Sequence, residues 1–233
     1  MNMTHQLNEA MRKVVIPPRM RYLPVSPMGF PVPWFVQWFE DETRVQPAPF
    51  GAGVPDFRCV DAAKVVPAIE RRLCWLCGGA LGARIAFVIG PMCAVSRVTS
   101  EPGCHRDCAV FAAIACPFLS NPRMRRNDRA LPEQRVEAAG VPLDRNPGVT
   151  CVWITRKFKP FRPAMGNSGL LIRLDAPVSV SWHAHGRDAT RAEVLESIDS
   201  GLPQLRAVAE LQGGGAPEKL EQDYLGLMPL LPP

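Results

Sequence analysis

The sequence predicts an α+β fold: small mixed or antiparallel sheets and short helices, arranged around a central segment held by side-chain chemistry rather than by regular structure. Three observations predict it. Proline supplies 25 of the 233 residues, about twice its usual share, which disfavours long helical bundles and coiled coils. The apolar runs are short and switch between strand-like and helix-like spacing. Eight cysteines are present, and five of them, Cys74, Cys77, Cys93, Cys104 and Cys108, fall within one glycine-containing stretch. A hydrophobic content of 47% with 21% charged residues is ordinary for a globular chain and excludes wholesale disorder.

Taken in order, residues 1–31 are rich in Met, Pro and Arg and show no sustained period. Residues 33–39, Pro-Trp-Phe-Val-Gln-Trp-Phe, read as an aromatic strand, with Trp34 and Trp38 expected in the core and Glu40, Asp41 and Glu42 in a solvated turn. Residues 56–60 form a second strand. Asp61 then caps a helix to about Arg72, with Val65, Ile69 and Leu73 on one face and Pro67 interrupting it. Residues 84–89 read as a buried strand broken at Gly90-Pro91, and residues 92–98 as its returning partner. Residues 104–115 form an Ala-rich helix ended by Pro117.

Residues 120–148 are a Pro/Arg-rich connector with one short helix expected around 132–139. Residues 149–155 read as a strand and 157–169 as irregular. Residues 170–174 and 178–182 read as a hairpin across Asp175-Ala176-Pro177. Thr190 and Glu193 make a capping box for a helix that should end at Gly201, with Pro203 opening another to Leu211. Gly213-Gly214-Gly215 reads as a hinge before a loosely attached tail. The segments are therefore 1–60, 61–119, 120–148, 149–212 and 213–233, expected to pack as one domain.

The first 15 residues lack an apolar signal core, and the longest apolar stretches, 85–95 and 108–119, fall short of the ~18 residues of a membrane span. The expectation is a cytoplasmic protein without membrane contact, whose thiols are reduced. Net charge is +5, and 22 of the 27 cations are arginine, a mild bias toward acidic partners.

The informative motif is Cys74-x2-Cys77 followed by Gly78-Gly79, and then His105-x2-Cys108 at the start of the expected helix, with 27 residues between Cys77 and His105. Two thiolates three apart can chelate one tetrahedral ion, and a following glycine lets the backbone turn beneath them. His105 and Cys108 share one helix face, and the positive helix end favours thiolate. The expected ligands are Cys74, Cys77, His105 and Cys108 and the expected cofactor is zinc, with Cys104 or Cys93 as alternatives to His105. Cys59, Cys116 and Cys151 are assigned to the core.

In the order of its parts, a knuckle, a strand pair and ligands at a helix start, segment 74–116 resembles a treble-clef zinc finger. The stretch 74–119, with Phe87-Val88-Ile89-Gly90-Pro91-Met92-Cys93-Ala94-Val95 and Cys116-Pro117-Phe118-Leu119, also resembles a group of uncharacterised bacterial and phage proteins. That resemblance covers about a fifth of the chain and implies no activity.

Other chemistry is thinner. His183-Ala184-His185 could chelate a second metal if extended, although a surface pair ahead of a capped helix is the simpler reading. Zinc-deaminase, phosphate-loop, dinucleotide and nucleophile-elbow signatures are missing. Two basic segments stand out: Arg123, Arg125, Arg126 and Arg129, and Arg156, Lys157, Lys159 and Arg162 interleaved with Phe158 and Phe161. Cations can neutralise phosphates while Phe rings stack on bases. The expected function is a zinc-stabilised, non-enzymatic binding or adaptor protein that contacts nucleic acid, or failing that a protein. The alternative is a metal-dependent hydrolase at His105 or at His183/His185, with Glu101 or Asp107 as base near His105.

Overall fold

The computed structural model describes residues 6–121, 124, 125, 127, 129, 131, 132, 146–163 and 169–233. The chain starts with α1 (Glu9–Arg12), capped by Asn8, whose side chain accepts from the Met11 amide. Strands β1 (Val36–Phe39), β2 (Pro47–Ala48) and β3 (Val54–Val60) form an antiparallel sheet in the order β2-β1-β3. Asp61 caps a short 3-10 turn, and α2 (Val65–Glu70) follows. Pro67 therefore sits in the first turn of a new helix, where its missing N–H costs nothing.

β4 (Ile85–Ile89) leads into α3 (Pro91–Ser96), β5 (Val98–Thr99), α4 (Arg106–Ala115) and α5 (Pro117–Ser120). The second half carries β6 (Thr150–Thr155), β7 (Phe158–Phe161), β8 (Leu171–Leu174), β9 (Ser179–Ala184) and β10 (Arg187–Asp188). It closes with α6 (Arg191–Gln212) and α7 (Ala216–Leu227). The central sheet has the order β10-β9-β6-β4 and a third sheet the order β5-β8-β7. The architecture is thus mixed α+β with small antiparallel sheets, as composition suggests.

All six residues of β6 are buried, so both faces of the central sheet are covered. Side-chain alternation divides them. Phe87, Cys151, Trp153 and Trp182 point toward α3, α6 and α7, where Val95, Val194, Ile198 and Leu227 complete one core. Ala86, Val152 and Ile154 point toward α4 and the Cys74–Cys77 knuckle, which form a second core. Segments 61–119 and 149–212 share this sheet, because β4 pairs with β6 along its length.

Five expectations are corrected. Residues 92–98 do not return as a strand beside β4. Pro91 cannot donate to a ladder and instead opens α3, with the Ala94 amide on the Gly90 carbonyl at 3.0 Å. Residues 158–161 are the edge strand β7, not irregular chain. The expected hairpin of 170–174 with 178–182 is split between two sheets: β8 pairs with β5 and β7, and β9 pairs with β6. The linking carbonyls are captured by β6, through Trp153 Nε1 to Asp175 O at 3.1 Å and Thr155 Oγ1 to Ala176 O at 3.1 Å.

The helix after Thr190 has the expected capping box but runs through Gly201 and Pro203 to Gln212. Gly201 marks close packing rather than an end, since a Cβ there would lie 2.8 Å from Met92 Sδ of α3. The tail after the glycine triplet is helix α7, anchored by buried Leu220 and Leu227 and by Trp182 Nε1 on the Leu230 carbonyl. Most of the helix expected around 132–139 lies outside the described residues.

Candidate metal centre

The knuckle is built by its own backbone. The Cys74 amide donates to Gly79 O and the Gly78 amide to Cys74 O, both at 2.7 Å, and Leu73 pairs with Ala80. Gly78 takes φ +72°, which glycine adopts without strain, and its missing Cβ leaves room for the Trp34 ring. Neighbouring segments clamp the loop. The Trp75 amide reaches Gly103 O at 2.9 Å, the Trp34 amide reaches Leu76 O at 2.8 Å, and Tyr22 Oη donates to Cys77 O at 2.6 Å. Trp75 stacks on Phe35 with centroids 5.1 Å apart.

The second half of the site is the N-terminus of α4. Cys104 is held to Ala86 of β4 by two backbone hydrogen bonds, so the next residue is fixed relative to the sheet. His105 is extended (φ −67°, ψ 150°) at the N-cap of α4, and Cys108 lies in its first turn. This one bridge replaces the expected strand pair as the link between knuckle and helix.

These elements bring Cys74, Cys77, His105 and Cys108 together, with one ligand atom from each lying within 4.8 Å of all the others. His105 Nδ1 is 3.4 Å from Cys77 Sγ and 4.0 Å from Cys108 Sγ. Its other nitrogen, Nε2, lies 3.0 Å from Ala80 O, so the proton belongs on Nε2 and the Nδ1 lone pair faces the sulfurs. Backbone amides of Cys77 and His105 point at Cys74 Sγ, at 3.5 and 3.4 Å. Three of the four residues are buried and His105 is half-buried, its edge bordering an open groove with Arg19, Arg84 and Arg106. The four lie close enough to bind a metal ion.

The sulfurs lie close enough to shift one another's protonation. Hydrogen bonds from the Cys104, Cys108 and Cys77 thiols pull the Cys74 thiol far below its ordinary value. The same contacts push Cys108 and Cys104 up, helped by burial. A divalent ion held among these sulfurs would favour ionisation of all the ligating thiols. Cys104 thus touches Cys74 but stands outside the four-residue set. Cys93 belongs to α3, and burial pushes its thiol up to about 11. Cys59 and Cys151 are buried and Cys116 is half-buried. All eight cysteines are free thiols.

The histidine pair does not form a joint site. His183 is 4% exposed, with Nε2 3.0 Å from Ser181 Oγ and Nδ1 3.4 Å from Asp188 Oδ1. The latter contact lacks hydrogen-bond geometry and leaves Nδ1 without a partner. His185 sits in the β9–β10 turn at φ +53°, 3.9 Å from Glu193. The positive φ breaks the extended spacing on which a shared orientation depends.

Of the basic residues, Arg125 is exposed, while Arg123 and Arg126 lie outside the described residues. Lys157, Lys159 and Arg162 are exposed around β7. Phe158 turns inward onto Phe87, with centroids 5.5 Å apart, whereas Phe161 meets Arg173, 5.3 Å from its ring. Sequence reasoning missed Tyr22, Gly103 and the Ala80 carbonyl, whose roles come from backbone proximity and leave no spacing signal. It also missed Arg173, which only β-pairing places beside Lys159.

No helix among the described residues is long and apolar enough to cross a membrane. No family model, curated protein or solved structure matches the chain, and nothing found supports the expected resemblance of residues 74–119 to bacterial and phage proteins.

Proposed function

We propose that Cys74, Cys77, His105 and Cys108 hold one zinc ion, and that the protein is a zinc-stabilised, non-enzymatic binding or adaptor protein contacting nucleic acid. The carrying observation is the convergence of three sulfurs and one imidazole nitrogen, from a knuckle and a separate helix start, within 4.8 Å of one another. A tetrahedral site with Zn–S near 2.3 Å has ligand–ligand edges of roughly 3.8 Å, so a small contraction completes it. Supporting features are the amides aimed at Cys74 Sγ and the Ala80 carbonyl that holds the His105 tautomer, as outer partners do in metal sites.

Four protein ligands leave no open position for water, which favours a structural ion over a hydrolytic one. The ion would tie α4 to the knuckle, in the manner of a treble clef whose strand pair is reduced to the Ala86–Cys104 bridge. Exposed Lys157, Lys159 and Arg162, with the overall charge of +5, favour an anionic partner.

Elemental analysis of the purified wild type, Cys77→Ser and His105→Ala tests the metal. One zinc per chain in the wild type and its loss from both variants is expected. Stoichiometric zinc retained in both would reject the ligand assignment. Retention of the zinc-loaded chain on a polyanion column, falling as salt rises, is the expected mark of the partner class.

A further inference from the structure

We propose that the outward face of the β5-β8-β7 sheet binds single-stranded nucleic acid, through its phosphates and the flat faces of its bases. This rests on the nucleic-acid reading above and adds the surface and the form of the ligand.

The face is defined by register. Phe158 pairs with Leu174 and Pro160 with Ile172. Leu174 and Ile172 are buried and Phe158 packs on Phe87, so these residues mark the inner side. Lys159 opposite Arg173 and Phe161 opposite Leu171 therefore look outward, with Val98 of β5 beside Arg173. Directly opposed like charges destabilise a strand pair. Here Lys159 and Arg173 are both exposed, and among the described residues neither they nor Arg156 and Lys157 make a salt bridge. Asp175, exposed where β8 ends, is an acid at the margin, with its amide on Lys157 O at 3.3 Å. The fold draws no stability from the Lys159–Arg173 pairing, and an external polyanion would turn its repulsion into attraction.

The chemistry between these cations is aromatic. The Arg173 guanidinium lies over Phe161, 5.3 Å from the ring centre, so ring and guanidinium offer flat surfaces beside the ammonium of Lys159. Unpaired bases stack on such surfaces, whereas a duplex keeps its base faces covered. Strands of four residues run about 13 Å, enough for only a few nucleotides.

The test uses the zinc-loaded full chain and fluorescence anisotropy with a labelled 15-nucleotide oligothymidine, its duplex, and polyglutamate as competitor. Wild type should prefer the single strand, and polyglutamate of equal charge should displace it poorly. Lys159→Gln/Arg173→Gln should flatten the log K against log salt slope by about 1.4, and Phe161→Ala should weaken binding roughly 5- to 100-fold. The charge-matched control Arg71→Gln/Arg191→Gln should change affinity under about twofold, because neither residue lies on this sheet.

In parallel, a 5-iodouracil oligonucleotide photo-crosslinked to the wild type should label Phe158–Phe161 and Leu171–Leu174, a readout that does not depend on any variant folding. Wild-type binding that the face variants leave unchanged, or crosslinks that map elsewhere, would overturn this surface while leaving nucleic-acid binding intact. Equal affinity for duplex, or full displacement by polyglutamate, would overturn the single-strand assignment. A wild type that binds neither oligonucleotide would sink the nucleic-acid reading and this inference together.

Discussion

The two faces of the central sheet are closed by different means. On one, Phe87, Trp153 and Trp182 meet three helices, and apolar area supplies the closure. On the other, Ala86, Val152 and Ile154 meet a ten-residue α4, rich in alanine, and a knuckle with almost no regular structure. Small side chains bury little area, and a glycine-bounded loop costs more entropy to order. That deficit falls where four donor atoms converge. A metal held there would cross-link the knuckle to α4, two pieces that otherwise meet through the side chains packed under Ala86, Val152 and Ile154.

Removing the metal should produce the largest effect and the sharpest contrast. Structural zinc contributes roughly 10–16 kcal/mol of apparent binding free energy, comparable to the whole stability of a domain at about 5–15 kcal/mol. Chelation, or Cys108→Ala, should abolish hydrogen-exchange protection at residues 73–80 and 104–115 while α6 and α7 keep much of theirs. Equal loss on both faces would show that the halves form one cooperative unit and that the contrast is only compositional. Next in size is the mirror experiment. Ile198→Ala, at a fully buried position on the helical face, should cost about 2–5 kcal/mol in denaturant unfolding. The zinc content of the folded chain should not change.

What was legible in the sequence follows the range of the interaction. Cys74-x2-Cys77 and the Thr190–Glu193 capping box are set by contacts within one or two turns; the capping box forms and the four candidate ligands lie close enough to bind an ion, although His105 stands extended at the N-cap ahead of α4 and not on its face. Pairing between distant strands was not legible. β4 takes β6 as its neighbour across a long stretch of chain, and β8 joins β5 and β7 instead of hairpinning with β9. Glycine and proline misled where packing outweighed local preference. Gly201 admits Met92, and the Gly213–Gly215 triplet turns the chain so that α7 can pack against α3 and α6.

His183 yields a smaller effect that also separates the faces. It alternates with Trp182 along β9 and so faces the side of the sheet covered by α4, beside Ser181 and the exposed Asp188. Burial lowers its pKa from the ordinary value, and the Asp188 carboxylate opposes that shift more weakly. The folded chain therefore releases this proton at a lower pH than the unfolded chain does. Across that interval the unfolded state binds more protons, so stability rises with pH, is complete above about 6.5, and is lost as the solution is acidified below it. His183→Gln cannot charge, and its amide can still reach Ser181. Denaturant unfolding of the zinc-loaded proteins at pH 5.5, 6.5 and 7.5 should show the wild type losing more stability on acidification than the variant. Acid loss of zinc, common to both, cancels in that difference. A wild type that instead gains on the variant at pH 5.5 would mean that His183 is charged in the fold and paired with Asp188. The inner face of β9 would then carry a charged imidazole paired with an exposed carboxylate in place of a neutral ring bonded to Ser181.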